Sequence, residues 1–365
     1  MKILQIIQRS QLRGAEIFAC QLSEQLIKTG AEVDVLVLFG EQSSVLPFSL
    51  PFQYLQANEK SRWLDFDGYK RLSDFIKKGN YDIVQANAGD TLKYATLSKK
   101  IFGWKSKLIF RNANKISDFL KSKPKLILNK WLIKELDGVA SVSEECKSDF
   151  INTFSWNTKT IECLPIGIKN NNVKPYTSLQ EIGISGAGPF LLNVAGFVKE
   201  KNHEGLIRIF KKLLDSYPDA KLILIGEGKL QTHIKEIIQQ TQITDKVFFL
   251  GKRKDVLEIM GCCDLFVLPS LIEGLPGVIL EAFSMKLPVV SYNVGGIKEI
   301  VINNKTGWLI EKNKEDEFLT GIKNALENTE QSITQQAFEL ATVQYSIENI
   351  TERFSAFYKK VASHL

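Results

Sequence analysis

DLFVLPSLIEGLPGVILEAFSMKLPVVSYNVGG, residues 264–296, is the most informative stretch of the chain. It opens on an apolar strand-like run, DLFVLPS (264–270), and passes through a loop carrying Glu273 and Gly274 into a short helix expected from Pro276 to Ser284. Proline's fixed φ and missing N–H suit the first position of a helix. A second apolar run, LPVVSYNVGG (287–296), follows. Strand, helix and strand within about thirty residues make a βαβ unit of a parallel sheet.

The alternation continues outward on both sides. PFLLNVAG (189–196), AKLILIGEG (220–228) and KVFFLG (246–251) precede this stretch, and GWLI (307–310) follows it. Further upstream, KILQIIQ (2–8), VDVLVLF (33–39), YDIVQAN (81–87), KLIFRN (107–112) and GVASVS (138–143) form a set of their own. A length of 365 residues exceeds the ~250–300 at which a single core stops growing. The fold expected is therefore α/β, two tandem Rossmann-like doubly wound domains facing a cleft. Between the two sets, residues 170–188 lack apolar periodicity and carry Asn, Pro, Gly and Ser. The expected division is a first domain at 1–172, a linker at 173–188 and a second domain at 189–345. In 346–365, Ile347, Ile350, Phe354, Phe357 and Val361 recur at helical intervals, and this final amphipathic helix is expected to pack back on the first domain.

Composition narrows the chemistry. With 44% hydrophobic and 24% charged residues the chain has the makings of an ordinary globular core. No run approaches the ~18 apolar residues of a membrane span, and the start reads as a short buried strand, so a cytoplasmic location is expected. Cys20, Cys146, Cys163, Cys262 and Cys263 are odd in number and form no CxxC pair, which points to small buried hydrophobes rather than a disulfide frame or zinc site. The only histidines are His203, His233 and His364, so the first half can hold neither a histidine metal cluster nor a His-based triad. Residues 1–172 carry 25 Lys and Arg against 18 Asp and Glu, while the remainder is nearly balanced. The first half is the basic one.

Glu273 and Glu281 bracket the start of the 276–284 helix. Its N-terminus offers unpaired amides and a partial positive charge, a natural phosphate site. Two carboxylates acting on one glycosidic bond stand roughly 5–9.5 Å apart. Eight residues of helical rise span about 12 Å, which fits one extended ligand touched at both ends better than a shared bond. A nucleoside diphosphate sugar has that shape, with its ribose at Glu281, its diphosphate over the helix and its hexose near Glu273. The plainer reading, a solvated helix residue and a loop charge, stands beside it for either glutamate alone.

Taken together, Gly14, Ala15 and Glu16, VAGFVKEKNHEGLI (194–207), LIGEG (224–228), FLGKRKDV (249–256), EGLPGVILEAF (273–283) with its E-x7-E pair, and PVVSYNVGGIKEIV (288–301) followed by GWLI make this sequence resemble the group-1 (family four) retaining glycosyltransferases of the GT-B fold. The resemblance covers nearly the whole chain. It implies that Glu273 contacts the donor sugar and Glu281 the ribose, with Gly274, Leu275, Pro276 and Gly277 in the donor loop and Gly196 at the strand end beside it. It also implies that Lys201 neutralises the diphosphate, offsetting the charge that grows on the leaving group. Relatives pair that lysine with an arginine just after the strand-end glycine, where this chain has Phe197; Arg253, Lys254 and Lys199 are the open candidates for the second cation. GKRKD (251–255) resembles the segment that packs against the base, and side chains that simply face water are the other reading. Arg13 and Gly14 stand where relatives show two glycines approaching the diphosphate, with Arg13 reading either as a phosphate contact or as a surface cap.

Many relatives carry a histidine after the strand matching YDIVQAN; this chain has Gln85, Ala86 and Asn87 there. A retaining enzyme tolerates that, since the leaving phosphate can take the acceptor proton. Asn87, Arg111 and Asn112 are the candidates for acceptor binding, with internal hydrogen bonding as the other reading. Residues 99–134 hold eleven Lys and Arg against the single Asp118, interleaved with Trp104, Phe110, Phe119 and Trp131. Such a segment suits an anionic membrane surface, and equally an ordinary solvated face.

The function expected is transfer of a hexose or N-acetylhexosamine from a nucleotide sugar, a UDP-sugar in first place, to a glycan or lipid-linked acceptor in cell-surface polysaccharide or glycolipid synthesis. No metal, no other cofactor and no nucleic-acid partner are expected, and the location is cytoplasmic or peripheral on the inner face of the membrane. A non-catalytic nucleotide-sugar-binding subunit is the alternative. A nicotinamide dehydrogenase would need a G-x-G-x-x-G turn, which neither QRSQLRGAE (8–16) nor IGEGKLQ (225–231) supplies.

Overall fold

The computed structural model describes residues 1–40, 46, 48–156, 159–169, 173–328 and 330–363. His364 and part of the expected domain boundary lie outside them. The chain divides into two compact units, Met1–Lys169 with Ser346–Leu365, and Asn170–Tyr345.

The first unit is built on a seven-stranded sheet of β1 (Lys2–Ile7), β2 (Glu32–Val37), β3 (Phe52–Tyr54), β4 (Ile83–Ala86), β5 (Lys107–Asn112), β6 (Gly138–Ser141) and β7 (Thr160–Cys163). The second has six strands, β8 (Phe190–Val194), β9 (Lys221–Ile225), β10 (Val247–Gly251), β11 (Leu265–Leu268), β12 (Val289–Asn293) and β13 (Trp308–Glu311). Every described pairing of these strands is parallel. Counted within each unit, six strands share the order 3-2-1-4-5-6, and β7 extends the first sheet beyond its sixth. This is the doubly wound Rossmann order, in which ligands bind beyond the carboxyl ends of the strands where the order reverses. That switch point falls between β1 and β4 in one unit and between β8 and β11 in the other.

The two strands that the sequence pattern does not reveal, β3 and β7, are the edges of the first sheet. Edge strands are covered on fewer sides, so neither FQY nor TIEC contains a buried residue or an apolar run.

Residues 173–188, expected as a linker, belong to the second unit. Leu179 and Ile184 are buried, and the Tyr176 hydroxyl donates to Asp255 at 2.5 Å. The helix Ile347–Ser363 belongs to the first unit. It buries Ile347, Ile350, Phe354, Phe357, Tyr358 and Val361 against Ile3, Phe18, Leu22, Val33, Ile83 and Ile109. Contact begins at Gly167, where a side chain would come within 2.8 Å of the Ile347 Cα.

Candidate active site

Three loops at the carboxyl ends of β8, β11 and β12 make the site of the second unit. After β8, the chain turns through Lys199–Lys201 to Asn202, held at φ 53°, whose side-chain oxygen accepts from the Gly205 N–H at 3.3 Å and so caps the helix His203–Leu213. The same side chain donates to the Pro269 carbonyl at 3.1 Å, and the Leu271 N–H donates to the Glu200 carbonyl at 2.7 Å. These two bonds staple the loop after β8 to the loop after β11. Their product is the Lys201–Glu273 ion pair, with Nζ 2.6 Å from Oε1. Glu273 is 6% exposed, and the pairing is what allows a carboxylate to sit that deep.

The third loop braces the glutamate from behind. Gly295 has φ +56°, and a Cβ there would lie 2.0 Å from the Glu273 carbonyl oxygen. Only glycine fits that backbone at that distance. The Gly296 N–H then donates to the Gly274 carbonyl at 2.6 Å. Leu275 and Pro276 are buried behind the loop.

The helix runs from Gly277 to Ser284, so Pro276 caps it rather than opening it, with ψ 113° and no side-chain cap bond. The Ile279 N–H donates to the Pro276 carbonyl at 3.2 Å, which leaves the Gly277 and Val278 amides at the open end of the helix as the donors an anion could use. One face of this helix carries Glu281. Burial pushes its carboxyl up to about 7, and no hydrogen bond to it is found among the described residues. A half-buried carboxyl without a protein partner is able to accept from ligand hydroxyls such as those of a ribose.

Phe197 is a core residue. It is fully buried, stacked on His203 at 4.2 Å between ring centroids and on Phe249 at 5.7 Å. His203, pushed down to about 4 by burial and then by Lys201, stays neutral in this stack. Gly196 lies against the β9 turn, where Gly226 at φ +137° leaves room for the Ala195 carbonyl, 2.1 Å from its would-be Cβ. Arg253 is spent on Asp255, its Nε 2.8 Å from Oδ1 with a second bond from Nη2. Lys199 and Lys254 make no ion pair among the described residues.

In the first unit, Arg13 is the exposed residue before the helix Gly14–Lys28 and makes no side-chain cap bond. Gly14 has nothing within 4 Å of its would-be Cβ, so the protein's own packing does not require a glycine there. The proposed acceptor residues sit elsewhere than a surface contact would: Asn87, Arg111 and Asn112 are each 1% exposed. Asn87 donates to Gln5 at 2.9 Å and to the Ile6 carbonyl at 3.2 Å, and Asn112 donates to the Cys146 carbonyl at 3.2 Å. The Arg111 guanidinium lies 4.4 Å from the Phe18 ring with no hydrogen-bond partner on its three nitrogens among the described residues, and burial lowers it to about 10. All three belong to the interior because they lie within or directly against sheet strands rather than in the loops beyond them.

The basic segment also separates into two parts. Trp104 and Phe110 are core residues, and Lys99, Lys100 and Lys115 are paired with Asp137, Glu135 and Glu145 at 2.9, 2.6 and 2.9 Å. The helix Lys123–Leu132 is instead largely exposed, with Ile127 at 68%, Leu128 at 37% and Trp131 at 44%.

Sequence reasoning missed Asn202 and Gly295, the residues that bring Lys201 and Glu273 together. Asn202 had a signal, an Asn standing immediately before a helical run. It also missed a cluster at the β1–β4 switch point, where Gln8, Arg62 and Lys93 converge on Asp90. A cavity of about 420 Å³ lined by Lys77, Tyr81, Trp104 and Lys107 lies at the opposite, amino-terminal end of the same strands.

Two family models tile the chain, glycosyltransferase family 4 over residues 12–171 and glycosyl transferases group 1 over 177–339. The chain belongs to the group-1 glycosyltransferases. Among relatives of this transferase, an N-acetyl-alpha-D-glucosaminyl L-malate synthase of Bacillus anthracis is 26% identical, covering 95% of this chain and 94% of its own. An N-acetylgalactosamine-N,N'-diacetylbacillosaminyl-diphospho-undecaprenol 4-alpha-N-acetylgalactosaminyltransferase of Campylobacter jejuni is 28% identical over 64% of each chain. A UDP-Gal:alpha-D-GlcNAc-diphosphoundecaprenol alpha-1,3-galactosyltransferase of Escherichia coli is 26% identical over 69% of this chain and 68% of its own. In fold, this group-1 transferase matches Anabaena HepE, crystallised with UDP-glucose, with a TM-score of 0.85 at 20% identity over 99% of this chain and 100% of that one. A sucrose-phosphate synthase of Thermosynechococcus elongatus gives 0.83 at 18% identity over 99% of both. These likenesses carry the GT-B architecture of two Rossmann-like halves.

Proposed function

We propose that this group-1 glycosyltransferase is a retaining enzyme that moves a hexose or N-acetylhexosamine from a UDP-sugar to a glycan or lipid-linked acceptor in cell-surface glycan synthesis. The observation that carries the donor half is the Lys201–Glu273 pair, held at the lip of the helix Gly277–Ser284 by Asn202 and Gly295. A diphosphate over the helix N-terminus meets the Lys201 ammonium, the ribose reaches Glu281, and the hexose lies against Glu273 and the Gly274–Gly277 loop. As the bond from the sugar's anomeric carbon to the phosphate oxygen breaks, Lys201 offsets the charge gathering on the leaving diphosphate. The acceptor oxygen bonds to the anomeric carbon from the same face, and its proton passes to a leaving phosphate oxygen. No metal and no cofactor besides the nucleotide sugar enter this scheme. The α linkage in the names of the three relatives, one of them with UDP-Gal as donor, supports retention.

The site of action we propose is the inner face of the cytoplasmic membrane. Among the described residues no helix is long and apolar enough to cross a membrane. The helix Lys123–Leu132 supports surface binding: Lys123, Lys125 and Lys130, with Lys121 just before it, make no ion pair among the described residues, and they flank exposed Ile127 and Trp131. Apolar side chains ringed by free lysines match an anionic bilayer.

A second reading, a non-catalytic nucleotide-sugar-binding subunit, is favoured by one observation: Phe197 is buried where relatives place a second cation, and Arg253 is tied to Asp255. Incubating the protein with a panel of UDP- and GDP-sugars separates the two. The enzyme reading requires slow donor hydrolysis or transfer that Lys201→Ala lowers sharply. Binding of a UDP-sugar without turnover under any acceptor condition would leave the second reading standing.

A further inference from the structure

We infer that the first unit carries a subsite for a pyranose bearing a phosphate, formed by Gln8, Arg62, Trp63, Asp90 and Lys93. The assignment rests on the transferase reading and names the acceptor side of it. Gln8 follows β1 and Asp90 stands in the first turn of the helix Gly89–Phe102 after β4, so the cluster lies beyond the carboxyl ends of the two strands where the sheet order reverses. Doubly wound sheets bind their ligands there.

The cluster is built rather than incidental. Asp90 Oδ2 accepts from Gln8 Nε2 at 2.9 Å and from Arg62 Nη1 at 2.8 Å, while Oδ1 accepts from Lys93 Nζ at 3.3 Å. Two cations share one carboxylate, leaving positive charge over for an anion. Arg62 is presented by a loop braced at both ends. Asp65 accepts from the Asn58 N–H at 2.7 Å, from the Gly68 N–H at 3.0 Å and from the Tyr94 hydroxyl. The Tyr69 hydroxyl donates to the Arg62 carbonyl at 2.6 Å.

This braced loop turns Trp63 and Leu64 outward, 42% and 73% exposed, with Lys93 Nζ 5.3 Å from the Trp63 ring centre. A part-exposed indole with the Lys93 ammonium over its ring, beside a carboxylate shared by two cations, has the complement of one ligand class. The C–H face of a pyranose covers the ring, its hydroxyls donate to Asp90, and its phosphate meets Arg62 and Lys93.

The test uses the full chain and N-acetylglucosamine 1-phosphate as probe, with N-acetylglucosamine and inorganic phosphate beside it, in calorimetric or ligand-observed NMR titrations. The sugar phosphate is expected to bind more tightly than either half. Trp63→Ala and the double change Arg62→Gln, Lys93→Gln are each expected to weaken it about tenfold, the scale of a charge-assisted contact. Thermal midpoints serve as the folding control. Undetectable binding at millimolar probe, wild-type affinity in both variants, or inorganic phosphate binding as tightly as the sugar phosphate would each overturn the subsite. UDP binding is followed in the same samples: its loss in wild type sinks the donor reading in the second unit, while the probe titration still reports on the first.

Discussion

The polar residues at the strand ends of the two units have opposite fates. In FRN (110–112) of the first unit, Arg111 and Asn112 are the last residues of β5 itself, and Asn87 directly follows β4 and packs between Gln5 and Gln85. Their side chains turn into the interior, where Gln85 receives the Tyr358 hydroxyl at 2.7 Å and Gln5 and Asn87 close the rest of the network. In PSLIEG (269–274) of the second unit, β11 stops at Leu268 and Glu273 comes five positions later, carried out of the sheet on a loop. A polar residue inside a strand or directly against it is carried into the interior, whereas the loop beyond the strand brings Glu273 to Lys201, a side chain that is itself part-exposed. The difference lies in where the strand stops, not in residue type.

Lys201→Ala breaks this contrast most strongly if the second unit's loop groups act on substrate. It is expected to raise the barrier by about 2–4 kcal/mol, measured as turnover of a UDP-sugar with the fold intact by circular dichroism. Turnover within a few fold of wild type removes Lys201 from the mechanism. Gln85→Ala probes the other side: it leaves Gln5, Asn87 and Tyr358 short of partners, so urea unfolding should show a loss of about 1–3 kcal/mol while nucleotide binding is unchanged. An unchanged unfolding midpoint would mean that this network is not what holds those residues inside.

Glu281 sharpens the comparison through pH. Its folded pKa, about 7, lies above its ordinary 4.5, so the fold prefers the protonated form. Its contribution to stability is fully present below the ordinary value and is lost as pH rises toward the folded one. Nucleotide affinity runs the other way, because ribose hydroxyls donate to the carboxylate, and UDP should bind more tightly on passing upward through neutrality. Glu281→Gln should flatten both slopes; an undiminished pH dependence of UDP affinity would assign it to another group. Glu273→Ala should slow the chemical step with little change in UDP affinity. The smallest effects are expected on the exposed helix, where changing Lys121, Lys123, Lys125 or Lys130 singly to Glu should weaken binding to phosphatidylserine vesicles by about 1 kcal/mol each in flotation assays. Equal binding by the quadruple variant would make the helix an ordinary solvated face.

The eleven strands legible in the sequence were those with apolar runs; nine are interior strands and the other two, β10 and β13, are edges that each keep one buried residue. Position within the second unit was legible for the same reason, since PSLIEGLPG interrupts two such runs. What could not be read was which polar residues a strand retains. FRNANK shows no break at Asn112, and nothing local distinguishes a buried Arg111 from a ligand contact. Asp90 was missed because its three partners come from positions 8, 62 and 93, and periodicity carries no information about such convergence. The core role of Phe197 was not readable for a related reason: its stack on His203 and Phe249 joins residues from a loop, a helix and a strand.

The helix Ile347–Ser363 gives the first unit an unusual birth order. Its partners Ile3, Phe18 and Ile83 are made before Asn170–Tyr345, yet the surface that covers them is translated only after all of that unit. At about 5–20 residues per second, an apolar face of the amino-terminal half stays bare on the ribosome for roughly 10–35 s while the second unit is made and has time to fold. Of these two units the one whose strands are made first is therefore completed after the other, and that interval is when a chaperone, or a neighbouring nascent chain, has access to its core.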